Sequence, residues 1–198
     1  QVVSTKSSDI YEDMDKSQAK VYDDLMARHW NYWDDGSYLR IFVAGFNGYA
    51  LKDDKDIMQG EPWDAPLAPY FDADEIAWNN AGTALAYTCK KLTGLEYAVS
   101  TDSDIYVYDT ASGLTVNICK TPSAPDGLVG YDKYPVFSPD DRRIAFRSMR
   151  RAGNESDKER LFVYDIASGT FTDLTADFDY NALNVVWGDD ETLYFIAP

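Results

Sequence analysis

The chain repeats itself. Ile76-Ala77-Trp78-Asn79-Asn80-Ala81-Gly82-Thr83-Ala84-Leu85-Ala86-Tyr87 can be laid over Pro135-Val136-Phe137-Ser138-Pro139-Asp140-Asp141-Arg142-Arg143-Ile144-Ala145-Phe146 at a constant offset of 59. Trp78 then falls on Phe137, and Leu85-Ala86-Tyr87 on Ile144-Ala145-Phe146. Ile105–Gly113 matches Leu161–Gly169 at an offset of 56, the difference being absorbed in the loop between the matched segments. A third copy begins at Val185-Val186-Trp187-Gly188-Asp189-Asp190 and continues to Leu193-Tyr194-Phe195. Units of this kind bury their apolar faces against their neighbours, so a tandem array is the only economical fold.

Each unit reads as four short strands, near 74–79, 84–90, 104–109 and 114–119 in one copy and near 134–138, 143–149, 160–165 and 170–175 in the next. Asp109-Thr110-Ala111-Ser112-Gly113 and Asp165-Ile166-Ala167-Ser168-Gly169 each place an Asp to cap a turn and a Gly where φ is positive. In Ser138-Pro139-Asp140-Asp141 the Pro pre-sets φ for a type I turn, so the first two strands also form a hairpin. The prediction is an all-β chain, a partial β-propeller of four-stranded antiparallel blades with a short N-terminal helix. Residues 1–36 are read as a lead-in, 37–63 as a partial blade, 70–122 and 130–176 as full blades, and 182–198 as the first half of another. The long loops 91–103 and 150–159 are the expected carriers of function.

Upstream, residues 28–33 read as a second strand, 37–44 as a third and 56–59 as a fourth, with Asp34-Asp35-Gly36 as a turn. Tyr22, Leu25, Met26, His29 and Trp33 also fall at helical spacing behind Ser17, which predicts a helix near 18–26. An open array would leave blade faces and strand edges uncovered, so either further chain covers them or copies self-associate.

Lys and Arg total 18 against 34 Asp and Glu, a net charge of −16, which makes nucleic acid or an anionic membrane surface a poor partner. No stretch approaches the roughly 18 apolar residues that cross a bilayer, and no signal peptide is visible. The hydrophobic fraction of 45% is enough for a packed core, and the 15% of aromatic residues favours strands. Cys89 and Cys119 are expected to be small buried hydrophobes, not a bridge.

Nucleophilic catalysis has no parts here. No Gly-x-Ser-x-Gly turn occurs, and His29 is the single histidine, which starves both a triad and an imidazole-rich metal site. Asp53-Asp54-Lys55-Asp56 and Asp102-Ser103-Asp104 lack the Gly and distal Glu of a calcium loop and are expected to be solvated turns. No Gly-rich phosphate loop is present. No catalytic residue, cofactor or metal is therefore expected, and the chain by itself should not hydrolyse peptides.

Tyr22-Asp23-Asp24-Leu25-Met26-Ala27-Arg28-His29-Trp30, Tyr131-Asp132-Lys133-Tyr134-Pro135-Val136-Phe137-Ser138-Pro139-Asp140 and Glu155-Ser156-Asp157-Lys158-Glu159-Arg160-Leu161-Phe162-Val163-Tyr164-Asp165 resemble the propeller of prolyl-oligopeptidase-type serine peptidases. The likeness is to the dipeptidyl-peptidase and acylaminoacyl-peptidase branch of Bacteroides-like bacteria, and it spans nearly the whole chain. It implies an interior piece of a propeller that caps an α/β-hydrolase domain of the same polypeptide, carrying a Ser-Asp-His triad. It also implies short peptides as substrates and a periplasmic or otherwise exported location. Asp141 stands where the family's turn usually has Gly.

In that setting Arg147, Arg150, Arg151, Glu155 and Asp157 have the chemistry to grip a peptide terminus, the alternative being a hydrated loop with local ion pairs. His29, with Arg28 and Trp30, either faces the chamber or packs as a hydrogen-bonded histidine. Trp78, Phe137 and Trp187 are expected in the core between blades, and Trp63 is left open. Two rivals remain on sequence alone. A non-enzymatic TolB-like propeller would bind a partner protein; a glycosidase-like propeller would need convergent acids, which no repeated Asp or Glu supplies.

Overall fold

The computed structural model describes the backbone of Thr5–Lys6, Asp13, and residues 16–22 and 24–198. Two complete blades dominate it. In the first, β7 (Ile76–Trp78), β8 (Ala84–Cys89), β9 (Asp104–Asp109) and β10 (Thr115–Asn117) form an antiparallel sheet in chain order. In the second, β11 (Asp132–Phe137), β12 (Arg143–Ser148), β13 (Arg160–Asp165) and β14 (Thr170–Asp173) do the same. The third copy contributes β15 (Leu183–Trp187) paired with β16 (Leu193–Ile196). The strands stand where the repeat predicts them, and the fold is a partial β-propeller.

Alternation along each strand explains the stacking. Leu85, Tyr87 and Cys89 of β8 join Ile41, Met58 and Ala65 in one buried cluster, whereas Ala86 points the other way, into a cluster with Ile144, Phe146 and Phe162. In β12 the pattern recurs: Ile144 and Phe146 face the first blade, and Ala145 faces Ala182 and Val185. A period of two thus gives each complete blade two buried faces, each shared with a neighbour. The aromatic pair is copied as well. Tyr87 stacks on its cross-strand partner Tyr106 at 5.5 Å, and their counterparts Phe146 and Phe162 stack at 5.8 Å.

The turns follow their residues. Asp109 Oδ1 accepts from Ser112 N at 2.7 Å and Gly113 takes φ 72°; Asp165 Oδ1 accepts from Ser168 N at 2.8 Å and Gly169 takes φ 70°. At the first hairpin of each blade the left-handed position is Gly82 (φ 68°) and, in the second copy, Asp141 (φ 59°). The departure from Gly leaves the backbone conformation unchanged.

Several upstream expectations fail. The helix near 18–26 is absent from the described residues there: Lys20–Val21 (β2) pairs with Thr5–Lys6 (β1), and Asp23 lies outside the described residues. The apolar spacing that suggested a helix belongs instead to side chains around a cavity. Residues 28–33 are not one strand but a tight hairpin, β3 (Arg28–His29) against β4 (Tyr32–Trp33), with Trp30 at φ 50° in the turn. The partial blade is shifted: β5 (Phe42–Phe46) pairs with β6 (Leu51–Asp56) around Asn47, whose Oδ1 accepts from Tyr49 N and Ala50 N. That side-chain turn joins β5 to β6, while Asp34-Asp35-Gly36 turns as expected, Asp34 Oδ1 accepting from Gly36 N at 2.6 Å with Gly36 at φ 80°.

The recurring aromatic position is not uniformly core. Phe137 is buried, and Trp187 is half-buried with Nε1 donating to Val136 O at 3.2 Å. Trp78 is 47% exposed, because β5 and β6 form a sheet of two strands and leave its ring at the edge of a shallow cleft beside Phe42 and Ile76.

Candidate functional site

The two long loops meet. Loop 91–103 folds partly as a short helix, α1 (Gly94–Val99). Gly153 N donates to Thr101 Oγ1 at 3.0 Å, tying the 150–159 loop to it. Gly153 has φ 72°, and a Cβ there would stand 2.7 Å from Val99 O, so only glycine permits this approach. The charges of Lys90 and Glu155 act in opposite directions on the pKa of His29 in hairpin β3–β4, Lys90 lowering it and Glu155 raising it.

Beneath the hairpin lies a cavity of about 570 Å³, bounded by residues 24–39, the Pro62–Phe71 segment and the start of α1. Tyr32, Trp33, Tyr38, Trp63, Phe71 and Tyr97 supply rings, and Asp24, Asp34, Asp35 and Asp64 supply carboxylates. Trp63 is held by Nε1 donating to Leu92 O at 2.8 Å, which makes it a wall of the cavity. Asp64 Oδ1 accepts from Leu39 N at 2.7 Å; burial raises its pKa, against that hydrogen bond, with Asp34 adding to the rise. Rings and carboxylates together suit a cationic group on an apolar body.

The predicted site residues divide. His29 lines the cavity, its ring edge-on to Trp30 at 5.6 Å, and its pKa is lowered by burial and by Lys90, opposed by Glu155. Glu155 is exposed and accepts from Tyr131 Oη at 3.3 Å. Lys90 is pushed down to about 8, chiefly by burial and then by Lys133. Its Nζ donates to Tyr97 O at 2.8 Å and Ser100 O at 3.1 Å. Arg28 lies 5.5 Å from the centre of the Trp33 ring.

Arg151 and Asp157 hold each other: Asp157 accepts from Arg151 N at 2.8 Å and from Nε and Nη2, which lowers the Asp157 pKa. Arg147 pairs with Glu159 at 2.5 Å and lies 3.8 Å over the Tyr134 ring. Arg150 is exposed beside Gly127. The structure therefore pairs Tyr131 with Glu155, whose charge reaches His29 and Lys90, and engages Arg147, Arg151 and Asp157 in local pairs. Sequence reasoning singled out His29 and Trp63 but missed Lys90 and the cavity carboxylates. The density of Asp and aromatic residues between 22 and 38 was the available signal.

Blades of four antiparallel strands, stacked face to face with two long loops in contact at one rim, define a β-propeller segment. Its sequence is similar to dipeptidyl-peptidase 5 of Porphyromonas gingivalis, 42% identical over 193 residues, covering 97% of this chain and 27% of that protein. Dipeptidyl-peptidase 5 of Porphyromonas endodontalis is 40% identical over 158 residues (80% of this chain, 22% of that protein), and that of Aspergillus fumigatus 30% identical over 186 (88% and 26%). The chain spans about a quarter of the length of these curated relatives. No family model matches the chain. Among solved structures, a TolB protein of Agrobacterium tumefaciens aligns with a TM-score of 0.47 at 17% identity, over 73% of this chain and 42% of that one. The AtxE2 isopeptidase aligns with a TM-score of 0.45 at 14% identity, over 62% and 20%.

Proposed function

We propose that this chain is the substrate-gating propeller portion of an exported serine exopeptidase of the dipeptidyl-peptidase type, working with an α/β-hydrolase domain of the same polypeptide on short peptides. The observation that carries the reading is the 42% identity to a dipeptidyl-peptidase 5 across 97% of the chain. The single histidine and the missing nucleophile turn assign the bond-breaking chemistry to other residues. The rim of the 91–103 and 150–159 loops with the Arg28–Trp33 hairpin supports a gating role, because its exposed Arg150 and Glu155 offer opposite charges to a passing peptide. A ring over an active site excludes folded proteins and admits flexible chains.

In the full-length enzyme, replacing Arg150 and Glu155 by Ala should raise KM more than it lowers kcat, as loss of uniform binding does. Unchanged steady-state kinetics with dipeptidyl chromogenic substrates would remove the loop from the substrate path.

A further inference from the structure

Where the two blades are sewn together, Ser103 N donates to Gly130 O at 3.1 Å and Asp132 N donates to Ser103 O at 3.1 Å, a parallel bridge between the starts of β9 and β11. It sets Asp104 beside Asp132. The segment after β10 folds back over them, positioned by Cys119 N donating to Asn117 Oδ1 at 2.9 Å. Asp104, Cys119 and Asp132 are all buried, and a ligand atom from each lies within 4.8 Å of the others.

Asp132 is fully buried and neither of its carboxylate oxygens meets a donor in full hydrogen-bonding geometry, while Ser148 and Cys119 lie close enough to lower its pKa as partial donors against the larger rise from burial. Asp104 Oδ1 also lacks one; Lys120 Nζ stands 3.0 Å away as an ion-pair partner, while Asp104 Oδ2 accepts from Asn117 Nδ2 at 2.8 Å. Buried carboxylate oxygens with incomplete hydrogen bonds cost of the order of 1–3 kcal/mol, and two such carboxylates beside a buried thiol leave room for a cationic partner.

We propose that Asp104, Cys119 and Asp132 bind one zinc-class divalent ion that clips the first complete blade to the second. Chemistry selects the class. Calcium and magnesium take oxygen ligands and have no use for a thiolate, while two carboxylates do not suit copper(I). Zinc accepts sulfur and oxygen together, and three protein ligands leave a fourth position for water. Zinc bonds of about 2.0–2.3 Å require the ligand atoms to draw in by roughly 1 Å, a side-chain movement.

On binding, the Cys119 thiol and any protonated carboxyl of the pair Asp104 and Asp132 release their protons to solvent; no electron is transferred. Lys120 can stay on Asp102, both of whose oxygens it already meets at 3.0 Å. Arg160, whose charge is coupled to Asp132, offsets part of the remaining negative charge. The site does not depend on any peptidase activity.

Cobalt(II) is the probe, because a cobalt–thiolate bond gives a near-ultraviolet charge-transfer band. The purified protein, stripped with chelator, should take up one equivalent of cobalt with that band, and zinc should bleach it. Zinc should also raise the thermal midpoint of the wild type, reversibly with chelator. Cys89→Ala should keep the band, Cys119→Ala should lose it with an unchanged circular dichroism spectrum, and Asp132→Asn should weaken uptake by about tenfold or more. No band in the wild type would overturn the proposal and leave a protonated acid cluster. So would a band that survives Cys119→Ala or full affinity in Asp132→Asn.

Discussion

Asp141 occupies the left-handed position that its counterpart Gly82 fills without strain, and its carboxylate explains why a side chain is kept there. Oδ1 accepts from Asn80 N at 2.7 Å and Asn80 Nδ2 at 2.8 Å, and Oδ2 from Ala81 N at 2.8 Å, so one hairpin turn is fastened to the equivalent turn of the next blade. Asp141→Ala should lose those bonds and keep the unfavourable φ, costing about 1–3 kcal/mol in urea unfolding. Asp141→Gly should lose less, because it relieves the backbone; equal losses in both variants would deny the strain. Lys90 carries a second expectation. Its folded pKa of about 8 lies below the ordinary lysine value, so between about 8 and 10.5 the unfolded chain binds more protons and stability rises with pH. Below pH 8 the cost of the buried ammonium is fully present. Lys90→Met should flatten that rise in denaturant midpoints measured from pH 7 to 11, and a parallel slope in the variant would contradict the assignment.

At the level of elements, the repeat made the blades legible, because period-two alternation and Asp-x-x-Ser-Gly turns are local signals. The same clarity did not reach the β3–β4 hairpin. There Tyr22, Leu25, Met26, His29 and Trp33 mimic a helical face, yet Leu25, Met26, His29 and Trp33 line a cavity closed partly by the next residues, 34–39, and partly by Trp63, Asp64 and Tyr97 from distant parts of the chain. A spacing rule cannot distinguish those two origins of an apolar pattern. Phe146 sits in the centre of the inter-blade core, stacked on Phe162 and edge-on to Phe171 at 6.3 Å. Phe146→Ala should destabilise the protein by about 3–5 kcal/mol. Gly153→Ala should act differently, parting the two long loops while the strands stay intact. Limited proteolysis should then cut within 91–103 or 150–159, with core amide exchange unchanged; faster exchange in β12 and β13 would show that the loops hold the sheet together.

For the molecule as a whole, the two ends of the array present apolar surface. Phe42, Phe46 and Leu51 on one side and Val186, Tyr194 and Ile196 on the other are each more than half exposed. The chain on its own should therefore self-associate, giving a concentration-dependent elution volume that Phe46→Lys with Tyr194→Lys abolishes. It should also show no turnover of aminoacyl or dipeptidyl chromogenic substrates, and robust hydrolysis by the pure chain would end the division of labour proposed for it. By itself the sequence determined the strands, their turns, the tandem stacking and the likeness to a dipeptidyl peptidase, because all of these are written in residues close together or in a repeat that can be aligned with itself. Only the tertiary structure decided that loops 91–103 and 150–159 touch, that Asp64 and Tyr97 share a cavity with His29, and that Asp104, Cys119 and Asp132 converge. Those meetings depend on how one sheet is set against the next, and the packing of sheet on sheet leaves no periodic mark in the chain.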